Sequence, residues 1–241
     1  MSGQEQLHLS LEIAKEVCSL VERIVNEVSP RFQAEIGKIS LRNRVLFGLG
    51  LKICRSFECL ADDAARGRSE AMHHLKTVVE TFVYFHWVGQ KPEETRAKLV
   101  VANAYHQKIK FFEKSDQAAH EAWKAMFHEL TKDLTLEWTT FKNLTLKTLS
   151  YKVGQEIGGW YEKVYRRACE PAHIADLLDY MPVPEKYGHP QTKIPSLRAY
   201  VALDYGLCVM FALLKAGSVG PEFDKDIERL SARHTAIRSS Q

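Results

Sequence analysis

Apolar residues in this chain recur every three or four positions along almost its whole length. Residues 7–28 place Leu7, Leu11, Ala14, Cys18, Val21, Val25 and Val28 on one stripe ahead of Pro30. A period near 3.6 gathers such residues onto one face of a helix, whereas a strand would need a period of two. The same spacing continues through Val45, Leu49, Ile53, Phe57 and Leu60, with Ser40 as the opening cap and Gly67 as the stop. A third helix is predicted over 69–88, ending at Gly89. A fourth follows Pro92 with Leu99, Ala102, Tyr105, Ile109 and Phe112, and a fifth starts at Ser115-Asp116 with Trp123, Met126, Phe127 and Leu130.

Residues 133–144 (DLTLEWTTFKNL) are rich in Thr and aromatics and are the one strand-like stretch. They read as a loop or irregular turn feeding a short helix, TLKTLSYKV. A further helix is expected from about Gly158, then a proline-rich loop over 181–195, then helices over 196–216 and 221–238. The expectation is an all-α, single-domain multi-helix bundle over 1–241, with the N-terminal helix of residues 1–30 peripheral to it.

Composition sets the class. In 241 residues, 45% are hydrophobic and 26% charged, ordinary for a globular domain able to bury a core. A formal charge of +3 does not announce nucleic-acid binding but permits a local basic patch. Cys18, Cys54, Cys59, Cys169 and Cys208 are odd in number and show no C-x-x-C spacing, which suits a reducing compartment. The N-terminus lacks the basic and apolar regions of a signal peptide. The most apolar stretch, 199–214, contains Asp204 and is short for a bilayer, so it reads as a core helix. A cytoplasmic protein with no membrane association is expected.

The chemistry-bearing stretch is WYEKVYRRACEPAHIADLL, residues 160–178. On a helix, Arg166 and His173 are seven apart and share a face to within about 20°, with Glu170 between them. Tyr161, Tyr165, Cys169 and His173 recur every four residues beside it. Pro171 removes the donor to the Arg167 carbonyl, so a kink in this late helix is predicted. Arginine followed four to six residues later by histidine resembles the signature of the HEPN (higher eukaryotes and prokaryotes nucleotide-binding) fold, and Arg166 and Arg167 both meet it. The resemblance implies metal-independent RNA cleavage, with His173 as general acid/base and Arg166 and Arg167 holding phosphate. It also implies a homodimer in which two such motifs face one cleft.

Two other readings stand beside it. Glu70-Ala-Met-His73 and Glu170-Pro-Ala-His173 are both E-x-x-H, the spacing of di-iron bundles, and Glu80, Glu113 and Asp204 would have to complete the set. Pro171 disturbs that spacing and Glu70 stands at a helix start, so no metal and no cofactor is expected. Alternatively, Arg166, Arg167 and Glu170 form a solvated face and His173 a hydrogen-bonded residue beside the kink. His120 and His128 lie eight apart without a third ligand. Phosphate-loop, dinucleotide and nucleophile-elbow motifs are absent. The run Phe82, Tyr84, Phe85, Trp87 reads as core rather than as a base-stacking platform.

An ordered set of segments carries a second resemblance. LKTVVETFVYFHWV places Lys76 and Glu80 at i, i+4 on an apolar helix, RAKLVVANAYHQKIKFFE follows, and Tyr161, Tyr165, Cys169 and His173 close the set. Over roughly residues 60–215 this resembles a large bacterial family catalogued only as a domain of unknown function. That family carries R-S-L-x-E early and Y-x-x-x-Y-x-x-x-S-x-x-x-H late. Lysine stands for arginine at Lys76, and cysteine for serine at Cys169. The resemblance implies an all-helical fold and brings no activity. Combined with the HEPN-like stretch, it yields the expectation of an RNA-binding protein, an endoribonuclease of a bacterial defence or toxin–antitoxin setting. Lys76 and Glu80 would orient the site, with Tyr161 and Tyr165 supplying hydroxyls. The alternative is a non-catalytic helical adaptor that docks a protein partner.

Overall fold

The computed structural model describes residues 3–165, 194–217 and 220–239. Among them every regular element is helical. The order is α1 Gly3–Ala34, α2 Leu41–Ala65, α3 Ala71–Gly89, α4 Thr95–Phe112, α5 Gln117–Thr131, α6 Thr135–Lys142, α7 Leu146–Val153, α8 Gln155–Trp160, a π turn Tyr161–Tyr165, α9 Ile194–Ala216 and α10 Pro221–Ser239. The protein is an all-α, multi-helix chain.

Local chemistry accounts for most of the boundaries. Ser40 Oγ accepts from the Asn43 amide at 3.2 Å and opens α2. After α2 the chain turns through Gly67 at φ 66°, a left-handed conformation that disfavours a Cβ. Asp116 caps α5 by accepting from Ala119 N at 3.0 Å, and Thr145 caps α7 by accepting from Thr148 N at 3.1 Å.

Two expectations are corrected. Helix α1, expected over residues 1–30, runs on through Pro30 to Ala34. The proline ring forfeits one helical donor, to the Asn26 carbonyl, and the Arg31–Glu27 pair at 3.1 Å spans the same turn. Residues 135–142 are a helix rather than a loop. There Thr139 and Thr140 donate their hydroxyls to the carbonyls of Thr135 and Leu136 at 2.8 and 3.0 Å. Trp138 and Phe141 meanwhile drop into a core, so burial outweighs the β propensity of the stretch.

The chain forms two compact units, Met1–Ala34 with Gly50–Phe82 and Gly159–Gln241, and Glu35–Leu49 with Val83–Gly158. In the first, α1 packs on α9 and α10 through Ile13, Ala14, Val17, Leu20 and Val21, all nearly or fully buried. Gly206 of α9 approaches α2 so closely that an added Cβ would lie 3.1 Å from Leu60 and 3.2 Å from the Phe57 ring. Helix α9 is long and apolar enough to cross a membrane by length and composition. Its Ala199, Ala202, Leu203, Leu207 and Met210 are buried within this unit.

In the second unit α4 packs on α5 and α6 around Trp87, Leu99, Trp138, Phe141 and Leu149. Trp87 and Phe141 stack at 5.0 Å, and the Arg96 guanidinium lies 5.1 Å from the Trp87 centroid while donating to the Trp87 carbonyl. Glu94 closes the start of α2 by accepting from Leu41 N at 2.7 Å, and Arg42 donates to the carbonyls of Gly89 and Lys91.

Candidate functional site

Arg166, Arg167, Cys169, Glu170, Pro171 and His173 lie outside the described residues, as do the predicted kink and most of the proline-rich loop. What leads into them is described. Helix α8 gives way to the π turn at Tyr161–Tyr165, immediately before Arg166. A π turn widens the backbone by one residue per turn, a form that occurs mainly as a single turn and often near functional sites. Here it brings Tyr161 and Tyr165 into a stack, with centroids 4.9 Å apart and planes inclined by 20°. One residue earlier, Trp160 stacks on Phe82 of α3 at 5.7 Å, and Val164 is buried, so the turn is anchored on its apolar side.

Lys76 and Glu80 sit half-buried on α3. No ion pair joins them within 4.0 Å. Glu70 lies just ahead of α3 and His73 in its first turn. Among the described residues no group of three His, Cys, Asp or Glu side chains gathers as a metal site would require. His120 is buried, with Nδ1 donating to the Ile109 carbonyl at 3.0 Å, while His128 is exposed. Phe82 and Trp87 are core residues.

A buried polar cluster in the first unit escaped sequence reasoning. Asp204 of α9 and His234 of α10 are hydrogen bonded in the interior at 2.9 Å. Arg238 Nε stands 3.5 Å from the second Asp204 oxygen, and its NH1 donates to Cys208 Sγ at 3.0 Å. The one available signal was an aspartate inside the most apolar helix. Burial pushes the Cys208 thiol up to about 11, which favours its protonated form at neutral pH. Cys18 and Cys54 are likewise pushed up by burial, to about 11 and about 12, with the Glu58 carboxylate adding to both shifts. These thiols are inert packing groups, and the Asp–His–Arg cluster fastens α10 to α9.

A second clasp joins α10 to α1. Glu16 accepts from Arg229 at 2.9 Å and from Arg233, and these hydrogen bonds hold its carboxyl below the usual carboxylate range.

The fold and these clusters define an all-helical protein whose described polar clusters tie α10 to α9 and to α1. Residues 44–186 match the family described as "Family of unknown function (DUF5677)", more than half of the chain and including the whole tyrosine–arginine–histidine stretch. The chain belongs to that family. No curated protein and no solved structure matches it.

Proposed function

We propose that the chain is a HEPN-like RNA-binding protein that cleaves RNA without metal, with its reacting groups on the segment after the π turn. The observation that carries this reading is the stacked Tyr161–Tyr165 pair, set by the π turn directly before the Arg166-Arg167 sequence. An arginine pair binds a phosphodiester through planar, charge-assisted hydrogen bonds, and the adjacent phenols offer hydroxyls to the same ligand. His173 follows at HEPN-like spacing and serves as acid/base, taking the 2′-OH proton or protonating the leaving 5′-oxygen. Glu170 lies between them in sequence and would hold the arginines in register. Two copies would set their motifs across one cleft, in a defence or toxin–antitoxin role.

The test pairs an RNA-degradation assay with a melting curve. His173→Ala should lose cleavage by about 10²–10⁴-fold while the protein stays folded. Arg166→Ala and Arg167→Ala should weaken binding as well as turnover, and the larger loss identifies the functional arginine. No cleavage by the wild type across varied RNA pools, with a large drop in melting temperature for His173→Ala, would instead support a non-catalytic adaptor.

A further inference from the structure

A groove of about 650 Å³ opens between α4 and α5 in the second unit. Lys98 and Tyr105, two turns apart, line it from α4, and Met126 and Leu130, one turn apart, line it from α5. Asp133 and Leu134 line it from the turn that follows α5. Tyr105 packs on Trp123 of α5 with ring centroids 5.3 Å apart, which ties the two helices together. Met126 is 46% exposed. Among the described residues, the exposed large hydrophobics are Ile36, Phe111, Met126, Leu136 and Tyr151, and all of them belong to this unit. Apolar side chains left in water on one unit mark a surface that a partner covers.

The charges around the groove decide what fits it. Lys98 and Lys132 are basic, Glu129 and Asp133 acidic. Lys132 is paired to Glu129 at 2.7 Å. Lys98 and Asp133 form no ion pair within 4.0 Å among the described residues, with each other or with any other side chain. A polyanion would satisfy Lys98 and be repelled by Asp133, and a cationic partner would fail the other way. The groove suits a surface with one free charge of each sign beside an apolar centre, and this chain carries such a surface itself. A twofold axis along the groove lays α4 of each copy over α5 of the other. Lys98 of each copy then faces Asp133 of the other, while the flexible Met126 side chains fill the space between. Ala122 and Ala125, exposed on α5, leave room for a helix to approach.

We infer that the α4–α5 groove is an interface between two copies of this chain, with Lys98 of each copy paired to Asp133 of the other beside Met126 and Leu130. It goes beyond the RNA-binding reading and does not depend on it, because its residues are distinct in sequence from the Arg166–His173 segment. Burial of the apolar centre supplies the affinity, and the two charge pairs fix which face docks and in what register.

The test is the oligomeric state of the full chain, read by sedimentation velocity over a range of concentrations, with a melting curve for each variant. The wild type should dimerise reversibly. Lys98→Glu and Asp133→Lys, each alone, should raise the dimer dissociation constant by about tenfold or more, because like charges then face each other. An equimolar mixture of these two single variants should dimerise as the wild type does, since both pairs between the copies again join opposite charges. Mixing restores no contact within a single chain, so this rescue is specific to an interface. Met126→Glu should weaken dimerisation by a similar factor, because it places a charge in the apolar centre. A wild type that stays monomeric, a dimer that neither charge variant weakens, or single variants that mixing does not restore each overturns the interface. RNA cleavage by the same preparations is read separately. Cleavage by a dimer insensitive to these variants rejects this interface alone, and rescue on mixing without any cleavage rejects the RNA reading alone.

Discussion

Asp204 on α9 accepts a hydrogen bond from His234 on α10 at 2.9 Å across 30 residues of sequence, with both side chains buried. A carboxylate inside an apolar helix is tolerable only with partners, and His234 and Arg238 supply them. His234→Ala should destabilise the protein by about 1–3 kcal/mol, because it strands a buried acceptor. Asp204→Asn, which keeps an acceptor for the ring, should cost less. The check is a urea-unfolding double-mutant cycle, where the double variant should lose less than the sum of the singles.

Glu16 is held between Arg229 and Arg233 at a half-exposed surface, so its contribution is screened. Glu16→Gln should cost about 0.5–1 kcal/mol at low salt and less at high salt. The carboxyl's folded pKa lies below its unfolded value, so the stabilisation is complete above the unfolded value and is lost as pH falls through the folded one. Acid melts of wild type and variant should therefore converge.

His86 and His106 titrate in the opposite chemical sense with the same direction of loss. Burial is the first cause for both. Lys110 and Lys142 reinforce it at His106, and Glu156 partly opposes it at His86. Each ring is kept neutral in the folded protein, so stability holds above the ordinary value of 6.5 and falls as pH drops toward the lowered folded values. Melting temperature should decline as pH is lowered from about 7 to about 5, and His106→Gln should flatten part of that decline. An unchanged slope in the variant would show that His106 does not contribute.

Thiol chemistry offers a reading of burial independent of stability. Cys59 is exposed, while Cys18 and Cys54 are partly buried with raised thiol pKa values. Mass-mapped alkylation of the native protein at about pH 8 should label Cys59 well ahead of Cys18 and Cys54. Rapid labelling of Cys54 would contradict the packing of α2.

Gly206 tests the close approach of α9 to α2. Its missing Cβ would press on the Phe57 ring and Leu60, both essentially fully buried. Gly206→Ala gains helix propensity but overpacks this approach, and a net destabilisation of about 1–2 kcal/mol is expected. Thermal unfolding measures it, and a stabilised variant would mean the two helices relax freely.

Most of the helices were legible because their causes are local. Leu11, Ala14, Cys18 and Val21 announce α1 by spacing, and Ser40 and Asp116 announce helix starts with side chains that reach only three residues ahead. Local reading failed where distant burial decided the outcome. Thr135, Thr139 and Thr140 favour a strand by propensity, yet Trp138 and Phe141 reach the Trp87 core and impose a helix on them. Pro30 reads as a stop, yet α1 continues through it.

The sequence by itself determined the helical class, the positions of most helices and the candidate residues Arg166, Arg167 and His173. Each of these follows from a repeat or spacing within a few turns of chain. Only the tertiary structure decided that Asp204 meets His234 and that Glu16 meets two arginines of α10. Those pairings depend on which helix faces pack together, which is set by burying apolar stripes from distant parts of the chain, a sum no local window contains.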